Sequence, residues 1–572
     1  MLDYLFRGAQ VVDGTGSVAF KADVAVQDGR VVEVGRLGDA GAIQVIDAAG
    51  KVVSPGFIDI HSHNDLYIIR DDYIKVFEPY LRQGITTCVT NNCGWSPAPW
   101  KLQNSGLMGA TLSSMGVSKE LEPRWETQAD FQEYIKGRGL PLNMVPLAAH
   151  GPIRIAVMGE EARFSTPEEL ESMKGLVREG MEAGCRGFST GLTYFPGMYA
   201  HTDEIVELAK VCSEYGGRYV THVRGHSQTY DQAVAEAIDI ATRSGCPLQL
   251  SHVFATPFLG KAAGLLYAVV GTLEAINRVI PLPGIPNAVL KRAVESMDQA
   301  LDDGLDVGMD FLPYVLGNST VTQLYPPWAN IGGTEGLLAR LRDPAQRTRI
   351  RHDVETLKPH WPHWEEGSWS DNFIMALGWK ILRVLSVGSE KNRHMEGCLV
   401  VDLARDSDMD PFDWLAELTL EEDGMVTLLG GLPPRPWTEK VFTSIQGHPQ
   451  LSVGADTLFP EKGAPPQSAY GCFVRIIDHY VKELGLYTLE NAIHRCTGLS
   501  ASRYGLTDRG VVQTGAAADL LCFDFGRIRD NSKFDDPCHF PDGVEYVMVN
   551  GRMVVERGTY HGDALAGTVL TR

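Results

Sequence analysis

Hydrophobic and polar residues change their rhythm twice along the chain. Over roughly the first fifty residues, short β-prone runs (YLFRGAQVV, ADVAVQDGRVVEVG and QVIDAAGKVVSPG) alternate with Gly and Asp turns, which predicts hairpin strands and not helices. From about Phe57 to Leu506, compact apolar runs alternate with longer amphipathic stretches. The runs are GFIDIHSH, TTCVTNNCG, LNMVPLAAHG, CRGFSTGLTY, RYVTHVRGH, PLQLSHVF, LDVGMDFLPY and QLSVGADT. Between them, TPEELESMKGLVREGMEAG and TDEIVELAKVCSEYGG carry apolar residues three and four apart behind a threonine suited to capping, and so predict helices. Strand and helix in alternation predict a parallel sheet or barrel, and eight such strands fit an α/β chain of (β/α)8 type. Strand texture returns at the far end in AADLLCFDF and VEYVMVNGRMVVERGTY, which predicts one small sheet domain assembled from both ends. The expected organisation is a sheet domain from residues 1–55 and 507–572 around a central domain, 56–506, with loop insertions near 255–295 and 355–375.

Composition narrows the partners. A chain of 572 residues with a formal net charge of -21 repels phosphate backbones, so no nucleic acid partner and no basic membrane-docking face are expected. The most apolar window, Ala262 to Leu273, is too short to span a bilayer, and the N-terminal residues lack the basic and apolar regions of a secretory signal. Ten cysteines without a CxxC pair suit a reducing compartment, so a cytoplasmic location is expected.

The chemistry lies at the ends of the predicted strands, where barrels of this kind gather it. His61 and His63 share a face if the first strand continues through them, because side chains alternate with a period of two. The second strand ends in Asn91, Asn92, Cys93 and Gly94, the fifth in His222 and Arg224, the sixth in His252 and the eighth in Asp456. Each has an ordinary alternative as a buried thiol, a core histidine or a helix cap. Together they are the donor set of a borderline divalent metal. His150 ends the third strand and is read as a supporting residue, His201 opens a helix, and His226, His360 and His363 are read as loop or surface residues.

In order along the chain, PGFIDIHSH, TNNCGWSPAP, GFSTGLTYFPGMYA, GGRYVTHVRGHS, PLQLSHV, DFLPY, LSVGADT and ADLLCFDF with VEYVMVNGRMVVERG resemble the amidohydrolase superfamily, most closely its N-acyl-D-amino-acid deacylases, the D-aminoacylases. The resemblance implies a zinc-dependent hydrolase of a C–N amide bond, with a deformed (β/α)8 TIM barrel and a β-sandwich formed from both termini. It implies that Cys93, His222 and His252 hold the tighter zinc, and that His61, His63 and Asp456 form a second, weaker site. Zinc polarises a carbonyl and lowers the pKa of bound water from 15.7 to about 7. Asp456 then matches the general base that later returns the proton to the departing amine. Tyr194 matches a residue that helps hold the carbonyl and so donates to the oxyanion, or else it is a rim aromatic. Arg224 is read either as a substrate contact or as the partner of a neighbouring acid.

Two departures bear on the substrate. The family lysine after the sixth-strand histidine, as in SHHK, is replaced here in SHVFATP, with Phe254 near its place. The family arginine in a PR-x-aromatic-Gly segment is replaced in PPQSAYGCF, where Gln467 and Ser468 stand. A carboxylate taken out of water needs a cation or several donors. The expected substrate is therefore a small amide without a free α-carboxylate (a neutral amide, a carbamate or a cyclic imide), contacted by Tyr194, Arg224, Phe254 and Ser468, unless Arg224 or Arg475 compensates. A hydantoinase-like hydrolase of cyclic amides or imides is the alternative, although no lysine ends a predicted barrel strand to bridge two metals. A catalytically silent scaffold is the other, and the complete ligand set argues against it. The long apolar stretch near 255–295 is read as a lid over the barrel or as a subunit contact, which leaves a homo-oligomer open.

Overall fold

Parallel strands occur at all eight predicted places in the middle of the chain: Phe57–Asp59, Ile85–Val89, Asn143–Val145 with Ala148–Ala149, Gly187–Gly191, Arg218–His222, Leu248–Leu250, Val307–Phe311 and Leu451–Val453. This computed structural model describes residues 1–572 except 119–120, 285–286, 363, 366 and 432–434, and leaves out the side chains of 261 and 442–444. The strands are buried on both faces, which is why they read as continuous apolar runs and not as alternating ones. The third strand breaks around Pro146, which has no N–H for a ladder. Its first half pairs with the second strand and its second half with the fourth, so it links a three-stranded sheet to a six-stranded one. At the other end, the Asp456 N–H donates to the His61 carbonyl at 3.0 Å and the Ala455 N–H to the Asp59 carboxylate at 3.0 Å. The segments that follow the eighth and first strands are thereby tied together.

Two helices illustrate local control. Pro167–Glu182 starts on Thr166 with a reciprocal capping box to Glu169, as the sequence predicts. Thr202–Glu214 differs: Thr202 lies inside the helix, and the cap is His201, whose Nδ1 accepts from the Asp203 N–H at 3.2 Å.

A nine-stranded sheet joins both ends of the chain. Its seam is Val52–Pro55 antiparallel to Leu520–Phe523, with Val53 opposite Cys522. Alternation sends Leu520 and Cys522 into this sheet's own core with Phe6, Val24 and Met548, and sends Leu521 and Phe523 into the core beneath the parallel strands. The two bodies also share a polar node. Buried Asp519 accepts from the Arg509 guanidinium, from the Asn550 N–H at 2.7 Å and from Asn143 Nδ2, in the third parallel strand, at 3.0 Å.

The chain between the seventh and eighth parallel strands is more than the loop expected near 355–375. Antiparallel strands Leu316–Thr320, Val426–Gly431 and Leu382–Val387 pack with helices Gly333–Arg342, Pro344–Thr356 and Pro411–Glu421 around a core of their own that includes Leu337, Ile350, Phe412 and Leu428. Near 255–295 lies a helix, Ala263–Asn277, on which Leu265 is exposed. No helix among the described residues is long and apolar enough to cross a membrane.

The polar node makes a stability prediction. Asp519→Ala leaves the buried Arg509 guanidinium with only Asp508 and the Asn550 side chain, and is expected to cost about 1 to 3 kcal/mol in chemical denaturation. Removing the exposed partner in the Glu133–Lys136 pair is expected to cost less than about 1 kcal/mol.

Candidate metal centre

Four of the proposed donors depend on unusual backbone or close contacts. The first strand ends at Asp59, before the histidines, yet His61 and His63 still converge: their Nε2 atoms lie 3.4 and 3.3 Å from Asp456 Oδ1. Cys93 sits at φ 52° in the turn after the second strand, next to Asn91 at φ 64°. A left-handed conformation costs a non-glycine residue about 1 to 2 kcal/mol. The turn is held by the Asn91 N–H on Asp65 Oδ1 at 2.9 Å and by Asn91 Nδ2 on Ser96 Oγ at 2.7 Å. His252 (φ 34°) and Asp456 (φ 41°) are also left-handed. The His252 N–H is satisfied by Asp310 Oδ1 at 2.7 Å. Two glycines allow the approach: a Cβ on Gly191 would lie 2.1 Å from the Cys93 carbonyl oxygen, and one on Gly454 would lie 2.6 Å from His61 Cβ.

Cys93 Sγ is the common point, 3.2 Å from His61 Nε2 and 3.7 Å from both His222 Nδ1 and His252 Nε2. The donors form two overlapping groups, His61–His63–Cys93–Asp456 and Cys93–His222–His252, with the donor atoms of each within 4.8 Å of one another. A tetrahedral ion with bonds of about 2.0 to 2.3 Å sets its ligand atoms roughly 3.3 to 3.8 Å apart. The 3.7 Å spacings from Cys93 to His222 and His252 fit such an ion, and the 3.2 Å spacing to His61 is slightly shorter.

The electrostatics agree with the donor chemistry. Burial pushes the Cys93 thiol up, but the His61 charge and the hydrogen bonds from His222, His252 and His61 outweigh it and hold it well below its ordinary range. Burial likewise opposes ionisation of Asp456, and His61 and His63 nevertheless hold it at about 2. Burial, reinforced by the nearby His252, pushes His222 down to about 4, leaving a neutral imidazole. His61 Nδ1 faces the Asp310 carboxylate at 3.4 Å. Asp310, from the seventh strand, therefore touches two donor residues, and sequence reasoning missed it although DFLPY marks the place. Tyr194 Oη lies 3.3 Å from His222 Nδ1. Burial first, then the charges of Cys93 and Asp456, push its phenol well above its ordinary range, so it stays a donor.

A cavity of about 190 Å³ opens over these groups, lined mainly by apolar side chains such as Trp95, Met115, Phe254, Phe373, Leu382 and Leu428. Among the described residues lining it, none is a lysine or an arginine. Phe254 stands on this wall as expected, its ring stacked on His226 at 4.8 Å. His226 is not a surface residue. It is buried, with its ring 4.5 Å from that of His222 and 5.0 Å from that of His252, because the chain bends after the fifth strand and brings the histidine of HVRGH back beside the first. Its spacing of four from His222 was the available clue.

Arg224 and Ser468 are corrected. The Arg224 side chain is fully buried: Nε donates to Glu236 Oε2 at 2.9 Å, Nη2 to Glu236 Oε1 and the Ala200 carbonyl at 3.0 Å each, and Nη1 to the Met198 carbonyl at 3.1 Å. The ion-pair alternative is the one formed, and Arg224 is not among the residues lining the cavity over the donors. Ser468 begins the helix Ser468–Arg475 and shares a 2.7 Å hydrogen bond with Thr457, facing an adjoining hollow with Pro466 and Gln467 and not the cavity over the donors. Arg475 does not compensate either, since it bonds the Pro313 carbonyl and Glu439. His150 pairs with Glu204 at 2.9 Å, His360 contacts Ser368 at the surface, and His363 lies outside the described residues.

Comparison with known proteins gives this arrangement its class. The model of the amidohydrolase family matches residues 44–357 and 443–555, leaving out much of the inserted unit. An enzyme that hydrolyses carbon–nitrogen bonds is thereby defined. The chain is 29% identical to D-aminoacylase of Alcaligenes xylosoxydans xylosoxydans, over 100% of this chain and 98% of that one. It is 30% identical to N-acyl-D-glutamate deacylase of the same organism, over 96% and 93%. The crystal structure of N-acyl-D-glutamate deacylase from Bordetella bronchiseptica, complexed with zinc and a phosphonate mimic of the tetrahedral intermediate, matches with a TM-score of 0.77 and 26% identity, covering 100% of both chains. The chain belongs to the amidohydrolase family, in its D-aminoacylase branch.

The thiol chemistry is testable. In chelator-treated protein, Cys93 is expected to alkylate with iodoacetamide at about pH 6.5, where a thiol of ordinary pKa is only about 1% ionised. Added zinc should protect it, and Cys93→Ser should remove the reaction. Peptide mapping that finds label only at Cys398 and Cys538 below about pH 8 would contradict the assignment.

Proposed function

We propose that the protein is a zinc-dependent deacylating amide hydrolase whose substrate lacks a free α-carboxylate. The observation that carries the second half is the cavity wall, which among its described residues offers no ammonium or guanidinium group. Burying a carboxylate there unpaired would cost several kcal/mol.

Cys93, His222 and His252 would hold one ion, and His61, His63 and Asp456 with Cys93 a second. When bound, zinc supplies polarisation of the substrate carbonyl and a more acidic water. The remaining work falls to side chains. Asp456 Oδ1, on the most open of these donor residues with 22% of its side chain exposed, takes the proton of the attacking water and delivers it to the departing nitrogen. Tyr194 Oη, kept protonated, donates to the carbonyl oxygen as negative charge develops there. Phe254 and Trp95 keep bulk water from the reacting bond.

The same reading takes the eight parallel strands as a deformed (β/α)8 barrel spanning 56–506, supported by the hydrogen bond between Asp456 and His61. It takes 1–55 and 507–572 as a β-sandwich. The ten free cysteines support a cytoplasmic setting. The absence of a lysine among the described wall residues, where one could bridge two ions, favours an acyclic amide over a cyclic imide.

Metal analysis and turnover on a matched pair test the proposal. Bound zinc is expected, with kcat/KM for N-acetyl-D-methioninamide at least about 100-fold above that for N-acetyl-D-methionine, the discrimination of a buried unpaired charge. Asp456→Asn is expected to lower kcat by about 10² to 10⁴. Brisk zinc-dependent hydrolysis of N-acetyl-D-methionine would sink the carboxylate argument.

A further inference from the structure

One carboxyl group on the cavity wall is left without a use by the chemistry above. Asp371 enters the cavity from the inserted unit, is 5% exposed, and its Oδ1 has no hydrogen-bond partner. Its Oδ2 lies 4.0 Å from His226 Nδ1, and burial raises the carboxyl to about 7 although the His226 backbone N–H and the Ser227 hydroxyl favour its ionised form. The neighbours of Asp371 are anchored on both sides. Ser370 accepts from Thr229 Oγ1 through its carbonyl at 2.7 Å, and Asn372 caps the helix Phe373–Leu377 while its Nδ2 donates to the Leu357 carbonyl at 2.9 Å. The carboxyl group is thus held in position, and is not a mobile surface acid turned inward.

Two further facts give its surroundings a sign. Asn318 Oδ1, on the same cavity wall, is also buried without a partner. No cation among the described lining residues faces either oxygen. A buried acceptor left unpaired costs about 1 to 3 kcal/mol, which a ligand that brings the missing donor recovers. A ligand that brings a second anion is repelled in the same low-dielectric space.

We propose that Asp371 is the specificity-determining residue of this cavity, accepting a hydrogen bond from an N–H group that the substrate carries where N-acyl amino acids carry a carboxylate. The substrate class is an uncharged N-acyl compound with a carboxamide-like donor beside the scissile amide. This deepens the reading of a carboxylate-free substrate and rests on it. Above about pH 7, where the buried carboxyl is ionised, Asp371 rewards the donor and penalises the anion, so ligands are compared at about pH 8.5.

Three matched ligands separate the possibilities: N-acetyl-D-methioninamide, N-acetyl-D-methionine, and N-acetyl-3-(methylthio)propylamine, which has neither donor nor carboxylate. Dissociation constants by calorimetry and kcat/KM are measured for the wild type, Asp371→Asn and Asp371→Leu, with thermal melting to verify folding. The wild type is expected to bind the carboxamide about 10- to 100-fold tighter than the propylamine. Asp371→Leu should bring these two within about twofold, and Asp371→Asn should bind N-acetyl-D-methionine at least about tenfold tighter than the wild type does. Wild-type affinities that are equal for the carboxamide and the propylamine overturn the inference, and so does an unchanged ratio in folded Asp371→Leu; both leave the carboxylate-free reading standing. Tighter wild-type binding of N-acetyl-D-methionine than of its amide overturns that reading first. Failure of all three ligands to bind the wild type also overturns the inference.

Discussion

The Cys93 sulfur, buried among His61, His222 and His252, is the point on which the rest of the structure depends. A thiolate away from water persists only if several donors face it at once. Those donors come from strands that are distant in sequence and meet only in the folded sheets. The cost appears in the backbone: Cys93, His252 and Asp456 all occupy left-handed conformations that side chains disfavour. Local hydrogen bonds and the bare flanks of Gly191 and Gly454 make room for them. Asp310 ties the arrangement together by bonding the His252 backbone and facing His61.

Around that fixed point the charge has been redistributed. Arg224 and Arg475, which in sequence stand close to the site, spend their guanidinium groups on Glu236 and Glu439. The inserted unit supplies apolar side chains and Asp371 to the cavity wall, so the open face combines an apolar surface with unpaired acceptors. The family match covers the donor residues and most of the cavity lining, and leaves out the part of the wall between Asp371 and Val441.

How much of this was legible in the sequence differs from residue to residue. The eight parallel strands were, because each is a short apolar run set between longer amphipathic stretches, several of them closed by a polar donor. Thr166 could be read as a cap because capping is a local hydrogen bond, whereas His201 displaced Thr202 for a reason no propensity contains. His226 was read as a loop or surface residue and lies in a loop, but its burial follows from the bend after the fifth strand; Ser468 was read as a substrate contact, but the helix it begins faces an adjoining hollow. Of the unit around Leu316–Gly431, the strand LGNST carries no apolar alternation, and its partners LRVLSV and VTLLGG are joined to it only by pairing across long stretches of chain.

The sequence alone determined the strand and helix alternation, the two β-rich ends that pair with each other, and the identity of His61, His63, Cys93, His222, His252 and Asp456 as a donor set. These are properties of local period and of side-chain chemistry. Only the tertiary structure decided that the six meet, that Arg224 is consumed by Glu236, and that Asp371 faces the cavity with an oxygen free. Such facts depend on which partner a polar group finds among residues far away in the chain, and burial makes that choice of partner cost or return several kcal/mol.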